Sequence, residues 1–158
     1  MGIRFPRLRR RHLAPMGLTA LASLWGLPAQ AIGFVCATGN WETAACWSPA
    51  GVPMATDTAS ITAVGGFATI VNFGAGAGAR SVNFLTLDTP GSANVQLLQT
   101  GGDLSIGSLR VAPTGHASVV LSGGASHVGT LSLGNSLQSA GHFLQSDGQL
   151  LLDSPVAA

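Results

Sequence analysis

The chain has 158 residues, 46% hydrophobic and 8% charged, which excludes a disordered polyelectrolyte and fits a single domain. It has seven arginines and no lysine, and five of the arginines stand in the first eleven residues. Beyond residue 31 two arginines face six carboxylates, a net charge of −4, so the clustered cations that grip a phosphate backbone are missing and no nucleic-acid partner is expected.

The first 31 residues have the three parts of a secretory signal peptide. Arg4, Arg7, Arg9, Arg10 and Arg11 come first, and an apolar run from Leu13 to Leu27 follows. Ala29-Gln30-Ala31 then offers small residues at the cleavage positions. The run contains Pro15 and Gly17 and falls short of the ~20 apolar residues that a spanning helix needs. The expectation is cleavage after Ala31 and export to the cell surface, the outer membrane or the medium. Arg10-Arg11 matches a twin-arginine signal poorly, so the general secretory route is preferred.

Export places Cys36 and Cys46, ten positions apart, where paired thiols persist as a disulfide. A metal pair or a reactive thiol is the alternative, but no Cys-x-x-Cys and no histidine at ligand spacing accompanies them. The surrounding stretch, GNWETAACWSPAGVPMATDTASI from Gly39 to Ile61, carries two tryptophans six apart, a Pro/Gly-rich turn and an apolar tail.

No helical stripe appears after residue 55. Short alternating runs do, at Thr58–Thr62, Ala68–Phe73, Ser81–Leu87, Val95–Gln99, Leu109–Val111, Ser118–Ser122, Leu131–Leu133, His142–Gln145 and Gln149–Leu152. The stretch from Gly107 (GSLRVAPTGHASVVLSGGASHV) and the stretch from Gly129 (GTLSLGNSLQSAGHFLQSDGQLLL) share one plan, and their openings are 22 apart. Gly102 and Gly124 have the same spacing, and a fainter copy covers residues 58–80. A unit so small cannot bury its own apolar face, but stacked copies can. The predicted fold is all-β, a right-handed parallel β-helix of about four turns between residues 58 and 152. A β-sandwich is the rival, but its hairpins need no such period.

The opening motif resembles that of a large group of exported bacterial β-helical proteins, the autotransporter-type passengers and the related repeat proteins with a C-terminal sorting signal. Their form is roughly Trp-x-x-x-x-Asn-Trp-Ser-x-x-x-x-Pro-x-x-x-Asp-x-Ala-x-Ile, and Trp41, Trp47, Ser48, Pro53, Asp57, Ala59 and Ile61 match it. Cys46 stands where Asn is usual, a departure that fits a bridge to Cys36. The repeats are similar to those of the same group, and the resemblance covers most of residues 39–152. The sequence thus divides into a signal peptide over 1–31, a cap over 32–57, solenoid repeats over 58–152 and a tail over 153–158.

In a solenoid an end exposes strand edges and core. Trp41 and Trp47 are expected to be buried as cap aromatics, with Pro49 and Pro53 denying strand addition. A sugar-stacking platform is the alternative for the two rings. Chemistry-bearing residues are sparse. Asp103 and Asp147, each at a glycine corner, would approach each other if their turns align, but turns favour Asp for backbone hydrogen bonds. His116 and His142 each follow a glycine and would stack as a surface column, read as solvated turn histidines. No catalytic, cofactor or metal site is expected. The reading is a non-catalytic, adhesin-like surface module, part of a longer protein anchored to the envelope by segments outside this sequence. Surface glycans or proteins of other cells are its expected partners, and a carbohydrate-binding or polysaccharide-degrading β-helix is the alternative. Leu150-Leu151-Leu152, with only Asp153, Ser154 and Pro155 as gatekeepers, is expected to drive end-to-end self-association.

Overall fold

The structure, a computed structural model, describes residues 29–153. The expected signal peptide up to residue 28 and the tail from residue 154 lie outside the described residues.

Nine strands follow in order: β1 Ala31–Phe34, β2 Thr38–Asn40, β3 Trp47–Ser48, β4 Thr58–Ile61, β5 Thr69–Phe73, β6 Ala79–Leu87, β7 Val95–Val111, β8 His116–Leu133 and β9 Ala140–Leu152. All ladders between successive turns are parallel, and the one antiparallel pair is β1 with β3. The result is a parallel β-solenoid of about five turns. Four of them lie between residues 58 and 152, as the repeats indicate, and the fifth comes from the segment read as a cap. There β1 and β2 already stack in register on β4 and β5, so the coil begins at Ala31 rather than at residue 58.

The strands line three faces, because β6 to β9 each bend round corners. The first face stacks β1, β4, the end of β6, the end of β7 and the end of β8. The second stacks β2, β5 and the beginnings of β7, β8 and β9. The third stacks the beginning of β6 with the middles of β7 and β8 and the end of β9. Alternation sends every second side chain inward. The inward positions pile into columns such as Ile32–Ala59–Leu85–Leu109–Leu131 and Phe34–Ile61–Leu87–Val111–Leu133. Apart from the members in the last turn, these side chains are buried, which is where the apolar area leaves water.

One corner is tightly specified. Between the second and third faces Gly78, Gly102, Gly124 and Gly148 align turn upon turn, all with φ between 65° and 81°, a region open mainly to glycine. The same corner needs an internal polar clamp. Gln99 is buried on an inward position. Its Nε2 donates to the carbonyls of Ala125 (2.9 Å) and Gly102 (3.3 Å), and its Oε1 accepts from the Ser126 hydroxyl. Gln145 repeats the contact to the Gly148 carbonyl at 2.9 Å. A Gln99→Leu variant keeps the volume but orphans the Ser126 hydroxyl and the Ala125 carbonyl. It is expected to lose about 1–3 kcal/mol, read as a shift in urea midpoint, whereas Gln145→Leu on the exposed turn should shift it little.

The period is not uniform. Register partners are 26 residues apart from β4 to β6, 24 from β6 to β7, 22 from β7 to β8 and 24 from β8 to β9. Most of the variation sits at the corner between the first and second faces, which takes residues 62–68, 88–94, 112–115 and 134–139 in successive turns.

Candidate functional site

The motif at the start of the chain has a physical role at nearly every matching residue. Trp41 and Trp47 are 0% and 1% exposed. Their rings meet edge-on with centroids 5.0 Å apart, Trp47 packs on Phe34 at 5.1 Å, and Trp41 packs on Phe73 at 5.7 Å. The indole N–H of Trp47 donates to the Trp41 carbonyl at 2.7 Å. This aromatic cluster closes the first end of the apolar columns and leaves neither ring a face on which a sugar can stack. Asp57 is buried, and its carboxylate accepts from the backbone N–H groups of Gln30 (3.0 Å) and Met54 (2.8 Å), tying the incoming chain to the first face. Ala59 and Ile61 point inward beneath Ile32 and Phe34.

Cys36 and Cys46 form a disulfide with Cα atoms 5.1 Å apart. It pins the turn after β1 to the chain entering β3, where Val35 N–H also donates to the Cys46 carbonyl. Replacing Cys36 and Cys46 with serine removes a short covalent loop. The expected loss is about 2–3 kcal/mol in thermal or urea unfolding, with thiol labelling of the denatured wild type showing no free cysteine.

The described residues begin with Ala29, which is exposed, and Ala31 opens β1. Gln30 donates to Asp57, and its carbonyl accepts from Thr58 N–H at 2.8 Å. A mature chain starting at Ile32 would lack both bonds, whereas one starting at Gln30 would retain them.

Elsewhere the structure separates two pairs that the repeat spacing aligned. Asp103 opens the third face just after Gly102, opposite Ala79 and Ala125. Asp147 lies before Gly148, opposite Ser122, and its Oδ1 accepts from Gly148 N–H at 2.7 Å. The two carboxylates therefore sit on opposite sides of the glycine column with a full turn between them. His116 and His142 do not share a column either. His116 pairs with Ala140, and His142 pairs with Ser118. The corner before β9 is two residues longer than the one before β8, which displaces the second Gly-His step. The two rings still border one open cleft of about 480 Å³ together with Asn94. Among the described residues no group of three or more His, Cys, Asp and Glu converges to hold a metal ion.

Sequence reasoning missed two features. Asp88 reaches across to the next turn, where its carboxylate accepts from the backbone N–H groups of Thr114 (3.3 Å) and Gly115 (2.9 Å) and from the Thr114 hydroxyl. The second is a groove of about 430 Å³ along the seam between the third and first faces. It is lined by the seam positions Asn83, Gly107 and Gly129, by the outward column Ser81–Ser105–His127 and by Asp153. The spacing of Ser81, Ser105 and His127, 24 and then 22 residues, was the available signal. No helix among the described residues is long and apolar enough to cross a membrane. Neither a protein-family model, nor a curated protein, nor a solved structure matches the chain.

Proposed function

We propose that the protein is a non-catalytic, exported surface module, a rigid coil that holds regular outward columns toward partners, such as surface glycans or proteins of other cells. The observation that carries this reading is how its carboxylates are used. Three of its six carboxylates serve the coil: Asp57 and Asp88 each accept from two backbone N–H groups and Asp147 from one. The disulfide supports an oxidising destination, because such bonds persist outside the cytosol. The resemblance of the opening motif points the same way.

The seam groove favours a second reading, a carbohydrate-binding or carbohydrate-cleaving coil. The hydroxyls of Ser81 and Ser105, the His127 imidazole, the Asn83 amide and the Asp153 carboxylate line an open cleft along the seam, a shape that admits an extended polar chain. A panel of polysaccharides separates the two. Under the first reading no reducing ends or unsaturated products appear, and cells displaying the protein gain binding to glycans or to other cells. Release of such products, abolished by His127→Ala, would establish the second reading in its place.

A further inference from the structure

Two cuts are open to a processing peptidase at the end of the leader. Ala29-Gln30-Ala31 offers small residues for a cut after Ala31, and Leu27-Pro28-Ala29 offers a small residue for a cut after Ala29. The folded chain treats the two new ends differently. Gln30 N–H donates to Asp57 Oδ1 at 3.0 Å, and Met54 N–H donates to Oδ2 at 2.8 Å. Asp57 is 3% exposed, so a lost donor leaves a carboxylate oxygen unpaired where water barely reaches. A cut after Ala31 removes Gln30, and with it the donor to Oδ1 and the acceptor of Thr58 N–H. It also removes Ala31, which opens β1 opposite Thr58. The new α-ammonium then falls on Ile32, which is buried and pairs with the buried Ala59. A charge in such a place is costly. A cut after Ala29 spares every one of these contacts. Gln30 is exposed, and its nitrogen, changed from an amide to an ammonium, keeps its place on Asp57 Oδ1. The bond becomes an ion pair, and charge-assisted bonds are roughly twice as strong as neutral ones.

We infer that the leader is cut after Ala29 and that the mature chain begins at Gln30, its α-ammonium docked on the buried Asp57 carboxylate. This processing site rests on the export reading above and falls with it. The docking also governs a reaction open to an N-terminal glutamine. Its α-amine attacks the side-chain amide carbon. A C–N bond forms to close a lactam ring, the bond to the amide nitrogen breaks, and ammonia leaves. Only an unprotonated, freely turning amine can attack, and an ammonium held on Asp57 is neither.

The test is expression of the full-length chain in a bacterium with a general secretory pathway, followed by intact-mass and N-terminal peptide analysis of the product. The expected start is Gln30. An exported chain that starts at Ile32, or at any other residue, overturns the cut and leaves export standing. A chain that keeps its leader overturns the export reading and the cut together. Ala31→Leu is the second arm. Ala31 is exposed at the start of β1, so the fold accepts the change. The variant spoils a cut after Ala31, yet processing to Gln30 should proceed as in the wild type, and retention of the leader in this variant alone overturns the inference. Loss of ammonia from Gln30, followed by mass, tests the docking. Because hydrogen bonds to charged groups are worth a factor of about ten or more, the loss should be at least about tenfold slower in the folded chain than in guanidinium chloride. Equal rates would show that Asp57 does not hold the amine.

Discussion

Trp47→Ala is expected to lower stability by about 3–5 kcal/mol, the range for removing a fully buried large aromatic. The ring touches both Phe34 and Trp41, and its N–H satisfies the Trp41 carbonyl. The substitution therefore opens a cavity at the end of two apolar columns and orphans an acceptor. Urea unfolding followed by circular dichroism measures the loss. In a stacked coil most of a turn's stability comes from its neighbours, so hydrogen exchange should report the damage unevenly. Amides of β1, β2 and β4 should lose protection first, and those of β8 should keep most of theirs. Uniform loss along the coil would show that the first turn is not a separable cap.

Gly124→Ala is expected to cost about 3 kcal/mol or more, although it adds one methyl group. At φ +81° an L side chain is strained, a term of about 1–3 kcal/mol. An added Cβ also lands on the carbonyl oxygen of Gly102 one turn below and 2.6 Å from the Gly101 carbonyl carbon, and overpacking of this sort adds about 1–3 kcal/mol. Gly66→Ala is the control. It shares a positive φ, at +79°, but an added Cβ meets nothing within 4 Å, so only the strain term remains. The difference between the two melting shifts isolates the cost of stacking backbone on backbone.

Much of this architecture was legible in the sequence, and the reasons are specific. Leu85, Leu109 and Leu131 recur because each occupies the same inward site one turn apart. Gly102 and Gly124 recur because the same corner demands a left-handed residue. The cysteine pair was legible from its setting, and the tryptophans from their place beside a Pro/Gly-rich turn. What was hidden depends on distances that no local pattern encodes. Strands β7 and β8 read as several short runs, since a strand that bends at glycines shows breaks in its alternation. The cap read as a separate segment because its turn of 27 residues from Ala31 to Thr58 shares little composition with the later ones. The relation between His116 and His142 was misjudged because a two-residue lengthening of one corner shifts the second copy out of step. Gln99 ends the run Val95–Gln99, and nothing local to it marks it as buried. Its buried role follows from its alignment with Phe73 and Leu121, which requires the register to be known.

The uneven corners bear on how such a chain can change over generations. Residues added between the first and second faces enter a loop, and doubling a flexible loop costs only about 0.6 kcal/mol. A residue added at the seam that holds Asn83, Gly107 and Gly129 has no loop to enter. It would turn every following side chain on that face inside out, because a strand alternates with period two. Drift in length is therefore channelled to one edge of the rod. That edge already carries Phe67 at 74% exposure and the fully exposed Leu137. It is the place where new sequence can be tried while the coil beneath keeps its register.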